Sequence, residues 1–459
     1  VSQIYDVIVI GGGPAGYVGA IKAAQLGGKV AIVEKDNFGG TCLNRGCIPT
    51  KTYVKNAEII EHINDAKSRG IVLDNTNFSL DMDKIVSYKN RVVRRLTTGV
   101  GGLLKSYGID IYNGVGRLTK DKKVQIDEGD IIEGKKIVLA GGSKVARINI
   151  PGIDSPKVLT SDEILDLKEL PERLAIVGGG VIGTEIATIF NAYGSKVTVI
   201  QSNDRIVPTM DEDVSIELGK LLSKKGVKIL TSSRLKEIED QGDKVLLHLE
   251  GKDPVEADLV LISIGRVPDL DGVGELEFEM NRGAIVVNDK METSIEGIYA
   301  PGDINGQLML AHAASKMAEV SVINALGGNE TFKAENVPAC VYSLPEVAAV
   351  GLTEEQAKEK YSNVGVGKFP FGANGRALAS GEGNGFVKVV TNRDNEQILG
   401  VHIIGVSAAE MINEAAALME AGVTAEGVAE TIHGHPTFSE AFMEACADSF
   451  DKCIHLPKK

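Results

Sequence analysis

The sequence predicts an α/β protein of several domains, two of which repeat one strand–turn–helix–strand unit. Three observations carry that expectation. Residues 6–34 shifted forward by 167 positions fall on residues 173–201, so that DVIVIGGGPAGYVGAIKAAQLGGKVAIVE faces RLAIVGGGVIGTEIATIFNAYGSKVTVIQ. Both copies carry G-x-G-x-x-G between an apolar strand and an apolar-periodic helix, and both close on a second apolar strand. Glycine, at 53 of 459 residues, stands above its usual share of about 7% without low-complexity runs. Many of these glycines sit at strand-to-helix junctions, where a backbone must come close to something. The chain is too long for a single core, and roughly two to four domains are expected.

The bulk composition excludes several classes. Hydrophobic residues at 43% and charged residues at 24% are ordinary for a globular protein. A net charge of -14 with no basic tract argues against nucleic acid or an anionic membrane as a standing partner. No stretch approaches the roughly 20 apolar residues that a membrane span needs. The early run Tyr5-Asp6-Val7-Ile8-Val9-Ile10 lacks a basic leader and a small-residue cleavage site, so it reads as a buried strand and not as a signal peptide. Five cysteines (Cys42, Cys47, Cys340, Cys446, Cys453) do not make a secretory disulfide framework, and the expected location is cytosolic.

The two glycine turns explain themselves chemically. In Gly11, Gly13, Gly16 and in Gly178, Gly180, Gly183, the first glycine turns the chain and the second lets backbone N–H groups approach a pyrophosphate. The third lets helix and strand pack closely. A diphosphate then sits at the helix N-terminus, where the dipole and free N–H groups favour an anion. Two such units predict two bound dinucleotides and two Rossmann-like domains. Their second strands end differently. Glu34 lies 23 residues past Gly11, where an acid accepts hydrogen bonds from an adenosine ribose, whereas Gln201 holds the same position after Gly178. An amide binds a 2′-hydroxyl but does not repel a 2′-phosphate. Two readings stay open: relaxed discrimination between NAD and NADP, helped by Arg205, or NAD with a tolerated amide.

Between the first unit and the next helix lies Gly39-Gly40-Thr41-Cys42-Leu43-Asn44-Arg45-Gly46-Cys47-Ile48-Pro49-Thr50-Lys51. A C-x4-C pair is a structural bridge, half of a metal site, or a redox couple. No second Cys or His pair lies nearby in sequence, and zinc ligands favour shorter spacing. On a regular helix, residues five apart have Cα atoms roughly 8–9 Å apart, beyond the roughly 7 Å limit for a bridge. A disulfide here needs a distorted turn, which Gly46 and Pro49 permit, and strained disulfides are the reducible ones. Beside two nucleotide sites, redox activity is the expectation.

GGTCLNRGCIPTK resembles the active-disulfide signature of the flavoprotein disulfide reductases, in the wording of their dihydrolipoamide dehydrogenase branch. Four further blocks extend the likeness along the chain: AGGS at 140–143, IGRVPD at 264–269, YAPGD at 299–303 and HGHPTFSEA at 433–441. The resemblance implies FAD in the first unit and NAD in the second, with NADP as the alternative. It implies an FAD-binding domain over residues 1–147 with the redox disulfide, an NAD(P)-binding domain over 148–272, and a central domain over 273–341 completing the FAD site. An α+β interface domain over 342–459 then makes a homodimer. The implied activity is oxidation of dihydrolipoyl groups, with a lipoylated carrier protein or acyltransferase of a multienzyme complex as partner.

Residue by residue, the resemblance makes Cys42 the interchange thiol that meets substrate and Cys47 the thiol facing the flavin. Thr41 lies between the glycines and Cys42 as a cofactor contact. Lys51 falls near flavin N5, with Glu185 as its acid partner unless that carboxylate is merely solvated on its helix. Gly114 and Gly116 fall on the adenine side of FAD, and Asp303 on the ribityl hydroxyls. Gly265 lies in the nucleotide block. Met309-Leu310-Ala311-His312 resembles a helix start at the flavin O2 edge, Ala311 supplying backbone N–H and His312 being structural. His435-Pro436-Thr437-Phe438-Ser439-Glu440 matches H-P-x-x-S-E, so His435 is the base and Glu440 its orienting acid, acting on the partner subunit's disulfide. His433 is not followed by Pro and is not selected. Glutathione reductase-like and mercuric reductase-like enzymes are the rivals. The former commonly carries tyrosine where Val181 stands, and the latter needs an extra cysteine pair, whereas Cys446 and Cys453 read as structural thiols in a helix. A mainly structural flavin-bearing docking subunit is the remaining alternative. No lipoyl domain precedes the first strand, so any lipoyl group is expected on a partner.

Overall fold

The structure, a computed structural model, describes residues 4–73 and 78–458. The first apolar run forms the strand Ile4–Ile10, with Val30–Glu34 and Ile131–Leu139 parallel on either side. Its residues Val7, Ile8 and Val9 are fully buried, as a continuous apolar run predicts for a strand covered on both faces. The sheet runs Asp110–Asn113, Val30–Glu34, Ile4–Ile10, Ile131–Leu139, Val124–Ile126, Gly116–Leu118, the last two joined antiparallel. Ile298–Tyr299, far along the chain, returns to this sheet parallel to Ile131–Leu139, pairing Ile298 with Ile137. The following helix Ala311–Ala325 packs on Pro14–Gln25 where Gly19 allows it; a Cβ there would lie 3.3 Å from the Ala318 methyl.

The second unit is a five-stranded parallel sheet ordered Lys228–Leu230, Lys196–Ile200, Arg173–Val177, Leu259–Ile262, Val158–Leu159, with the helix Val181–Tyr193 following its glycine turn. Antiparallel strands Leu235–Asp240, Val245–Leu249 and Val255–Ala257 flank it. The chain leaves the first unit through Ser143–Val145 and returns through Arg266–Pro268, and these two segments pair antiparallel. The last part is α+β: an antiparallel sheet ordered Ala339–Val341, Glu346–Gly351, Gln397–Gly405, Phe386–Asn392, Val364–Pro370, packed with the helices Ala408–Glu420 and Glu440–Asp448. The expected fold class is the observed one.

A buried charge cluster ties the second unit to the third. Lys388, on the strand Phe386–Asn392, is 2% exposed, and its ammonium lies 2.8 Å from Asp211, 3.1 Å from Asp213 and 2.6 Å from Glu354. A buried cation persists only with such partners. Asp211 also caps the helix Glu212–Lys224, accepting from the Asp213 N–H at 3.1 Å. His402, on the neighbouring strand, is buried there, with Nε2 donating to the Leu352 carbonyl at 2.9 Å. Burial holds its pKa below the ordinary histidine value against the pull of Asp211. The sign follows: as pH falls through about 6.5 the unfolded chain takes a proton at His402 that the folded chain refuses. Stability therefore drops with acidification in that window. Thermal midpoints measured from about pH 7.5 to about 5.5 should fall less steeply in His402→Gln than in the wild type; equal slopes would contradict the assignment.

Candidate active site

The three parts enclose one large cleft of about 2310 Å³, lined by both glycine turns, the cysteine segment, the two crossover segments and the start of the helix Ala311–Ala325. In each turn the outer glycines are fixed by contact. A Cβ at Gly11 would strike the Ala140 carbonyl and one at Gly16 the Gly11 carbonyl; at Gly178 and Gly183 the obstacles are the Ser263 and Gly178 carbonyls. The middle glycines open onto space instead. A Cβ at Gly13 meets nothing nearer than the Gly40 Cα at 3.7 Å, and one at Gly180 meets nothing within 4 Å. Gly13 and Gly180 are the N-caps of the helices Pro14–Gln25 and Val181–Tyr193, so free N–H groups face both openings. Pro14 at the first helical position gives up only an N–H with no intrahelical partner.

Glu34 ends its strand inside the cleft, its carboxylate accepting from the Gly12 N–H at 2.5 Å and the Asp36 N–H at 2.7 Å. Gly114, at φ 140°, follows directly; its N–H donates to the Glu34 carbonyl, and a side chain would run into Asp127. Gln201 also reaches the cleft, with its amide turned onto its own loop: Nε2 donates to the Arg205 carbonyl at 3.3 Å and Oε1 accepts from the Ser202 N–H at 3.1 Å. Arg205, used in one of the two open readings, lies outside the cleft lining, with its guanidinium 3.8, 3.9 and 3.8 Å from Asp204, Glu212 and Glu355.

The cysteines sit where the sequence requires a break. A short helix Gly40–Arg45 ends at Gly46 and a new one, Cys47–Asp65, begins at once. A Cβ at Gly46 would lie 2.9 Å from the Thr41 carbonyl, so glycine permits the kink, and Pro49 falls in the first turn, where its missing N–H is harmless. The kink brings the two sulfurs together as hydrogen-bonded thiols. Cys47 accepts the bond from Cys42, and this, with the Lys51 charge, pulls its pKa down to about 7 against burial. The same bond and burial push Cys42 up. The pair is thus polarised, with the thiolate at the N-terminus of the longer helix.

Lys51, one turn on, donates to both Glu185 oxygens at 3.0 and 3.1 Å. Glu185 is 4% exposed, which rules out the solvated-carboxylate alternative, and it also accepts from the Tyr342 N–H at 2.8 Å. Asp303 lines the cleft and accepts from the Ser143 hydroxyl at 2.5 Å; burial raises its pKa, with Ser143 and Arg266 working against the rise. Arg266 continues this network, reaching the Ser143 hydroxyl at 2.8 Å, the Ser143 carbonyl at 2.6 Å and the Thr41 hydroxyl at 3.3 Å. Gly265 precedes it at φ 116°. Ala311 is the first residue of its helix, and His312 binds the Pro338 carbonyl at 2.7 Å, a tether to the third part of the chain. Ser143, Arg266 and Tyr342 were not singled out from sequence. The first two lie inside the AGGS and IGRVPD blocks, which was a usable signal; Tyr342 carried none.

His435 stands apart. Its Nδ1 lies 2.8 Å from Glu440 Oε1, and Glu440 Oε2 accepts from the Thr437 N–H at 2.7 Å. Burial opposes the charge on Glu440, but the Thr437 N–H and the ring more than offset it and keep its pKa below the ordinary value. The His435 side chain is 77% exposed and lies outside the cleft lining, so its own chain does not bring it to the sulfurs. His433 is spent on Thr431 and Glu414 at 2.9 Å each. Cys446 is buried in the helix Glu440–Asp448; Cys453 lies beyond that helix, not within it, and donates to Glu444 at 2.9 Å. Among the described residues no cluster suited to a metal ion occurs, and no helix is long and apolar enough to cross a membrane.

Two dinucleotide cradles converging on a polarised dithiol define a disulfide oxidoreductase of the two-nucleotide type. The chain belongs to the pyridine nucleotide-disulphide oxidoreductase family, whose sequence pattern matches residues 5–318, followed by the family's dimerisation domain over residues 337–446. It is 41% identical to a dihydrolipoyl dehydrogenase of Bacillus subtilis, covering 98% of this chain and 99% of the relative. A mitochondrial dihydrolipoyl dehydrogenase of Pisum sativum is 37% identical over 98% of this chain and 92% of its own. Among solved structures, a HOCl-induced flavoprotein disulfide reductase, RclA, from Escherichia coli superposes with a TM-score of 0.86 at 30% identity, covering 96% of this chain and 99% of that one. FAD and NAD(H) are the cofactors, the Cys42–Cys47 pair fits a redox-active disulfide, and the residues present fit both dinucleotides: two open glycine turns at helix N-termini, with Glu34 and Asp303 offering carboxylate oxygens along the first.

Gly180 gives a direct test of the second cradle. Its backbone, φ -76° and ψ -166°, suits any residue, so Gly180→Val fills the opening without straining the turn. The variant should keep its yellow flavin while its affinity for pyridine nucleotide, measured by titration, drops about a hundredfold. Undiminished nucleotide binding would place the pyrophosphate elsewhere.

Proposed function

We propose that this protein oxidises protein-bound dihydrolipoyl groups, passing electrons through Cys42 and Cys47 to FAD and then to NAD, as the disulfide-oxidising member of a 2-oxo acid dehydrogenase complex or a related one. The observation that carries the reading is the polarised cysteine pair at the helix break, set beside Lys51 and Glu185 in a cleft shared by both glycine turns. Full-length similarity to dihydrolipoyl dehydrogenases supports this substrate over glutathione or mercuric ion. A cytoplasmic setting belongs to the reading, given the sparse cysteine usage.

In this mechanism a dihydrolipoyl thiolate attacks Cys42 Sγ of the Cys42–Cys47 disulfide, forming a mixed disulfide and releasing Cys47 as thiolate. The second substrate sulfur then displaces Cys42, so the substrate leaves as its cyclic disulfide and the enzyme holds two more electrons. Of the two protons released, one resides on Cys42, matching its raised pKa, and one is taken by His435, which Glu440 orients through Nδ1. Because His435 is exposed and remote from its own chain's cysteines, the reading requires a homodimer in which each copy supplies the base for the other. FAD, held by the first glycine turn with Glu34 and Asp303, would supply a two-electron carrier between the dithiol and the pyridine nucleotide. Lys51 holds positive charge beside Cys47, and Glu185 keeps that lysine in place.

His435→Ala should depress dihydrolipoamide turnover by about a hundredfold or more while sparing NADH oxidation by artificial acceptors, which needs no thiol proton transfer. Equal loss of both activities would remove His435 from the role of base, and turnover of glutathione disulfide in preference to dihydrolipoamide would replace the substrate.

NAD rather than NADP is the proposed nucleotide. Gln201 repels nothing, yet Asp204, Glu212 and Glu355 stand 3.8–3.9 Å from the Arg205 guanidinium, and their charges offset the pull it would exert on a 2′-phosphate. The expected ratio of kcat/KM favours NAD by about tenfold or more, some 1.4 kcal/mol; parity between the nucleotides would refute the choice.

A further inference from the structure

Tyr342 takes part in no step above, yet it touches both members of the Lys51–Glu185 pair. The Lys51 ammonium lies 4.3 Å from the centroid of its ring, and its backbone N–H donates to Glu185 Oε1 at 2.8 Å. It stands just past the strand Ala339–Val341, so both contacts come from the third part of the chain, while Lys51 and Glu185 belong to the first and second. We propose that Tyr342 is a positioning residue: its aromatic face fixes the Lys51 charge against Cys47, so that docking of the C-terminal domain sets the acidity of the inner thiol.

The physical need is plain. A lysine has four rotatable side-chain bonds, and pairing with one carboxylate fixes its distance from that carboxylate but leaves the ammonium free to swing around it. A π-face on a second side removes that freedom. The swing matters because Lys51 and Glu185 act on Cys47 with opposite sign, the ammonium favouring the thiolate and the carboxylate opposing it. Their net effect depends on where the ammonium is held. The Tyr342 N–H holds the carboxylate in turn. Burial pushes the Tyr342 hydroxyl up to about 12, so the ring stays neutral and remains an acceptor for the cation across the working range.

The inference rests on the reading of Cys47 as the thiol beside the flavin and of Lys51 as its charge partner. The experiment separates the two. Holoenzyme is reduced anaerobically by two electrons, and the long-wavelength absorbance that a thiolate gives against a flavin is followed as a function of pH. Tyr342→Leu should raise the midpoint by about half a unit to one unit, and Tyr342→Phe, which keeps the ring, should leave it unchanged. Lys51→Met is the reference and should raise it at least as far as Tyr342→Leu. If Lys51→Met shifts the midpoint and Tyr342→Leu does not, the role of Tyr342 is wrong while the reading of the site survives. A Phe variant that shifts like Leu also overturns it, by assigning the effect to the hydroxyl. If the wild type shows no such titration, or Lys51→Met leaves it unmoved, the reading of the sulfur site itself fails. Should Tyr342→Leu not yield flavin-loaded protein, Tyr342→Met, flexible and without an aromatic face, takes its place with the same expected rise.

Discussion

A carboxylate buried to 4% exposure, Glu185, is the constraint on which the site depends. Left unpaired, such a group costs several kcal/mol, and removing one partner from a buried pair typically costs about 3–5 kcal/mol. Among the described residues its donors are the Lys51 ammonium, which reaches both oxygens, and the Tyr342 N–H. Lys51 sits on the cysteine helix, Glu185 on the helix after the second glycine turn, and Tyr342 behind a strand of the C-terminal sheet. Satisfying one buried charge therefore requires all three parts to dock in register. The electron path crosses the domain junctions at the same place, so a misdocked chain also loses its chemistry.

A second network repeats the logic among other segments of the cleft. Asp303, Ser143, Arg266 and Thr41 come from four separate segments, and Arg266 links Ser143 to Thr41 through a planar fork that lysine could not imitate. Ser143–Val145 and Arg266–Pro268 are the two strands by which the chain leaves and re-enters the first unit. Pinning both to Thr41 fixes the start of the cysteine helix relative to the second nucleotide unit. Two polar networks thus hold the short helix Gly40–Arg45 at Thr41 and its successor at Lys51, and the break at Gly46 lies between those two points.

Much of this was legible in the sequence, for identifiable reasons. The duplicated glycine turns could be read because their outer glycines answer to backbone contacts, Gly16 against Gly11 and Gly183 against Gly178, that admit no side chain. The helix break could be read because five-residue spacing and a disulfide are incompatible on a straight helix. The role proposed for His435 came from motif likeness, and the contact with Glu440 that this role expects lies at 2.8 Å in the fold. What escaped was whatever depends on long-range docking. Tyr342 has no local pattern and matters only because a distant strand carries it to Lys51. Arg205 was offered to the nucleotide from sequence proximity to Gln201, but Glu355, 150 positions away in the third part of the chain, helps turn it aside. The Lys388 cluster escaped too, since an apolar strand conceals a lysine whose acids lie elsewhere.

The position of His435 has a consequence for how the protein must assemble. A histidine is usually oriented by a carboxylate at some entropic and desolvation cost, and here the carboxylate is itself held by the Thr437 N–H. Yet the ring it orients is 77% exposed in the single chain, and Ile432 three residues earlier is 97% exposed. In the proposed role of base, a ring pre-ordered in open solvent would gain nothing for chemistry, because water screens it and supplies its proton. The arrangement makes sense when another surface covers it. The family's dimerisation domain spans residues 337–446 and so contains both residues. Burial of the ring and of Ile432 against a second copy would drive association and, in the same contact, move the base from high to low dielectric, where its hydrogen bond to Glu440 strengthens. On this account, assembly is a step in building the active site.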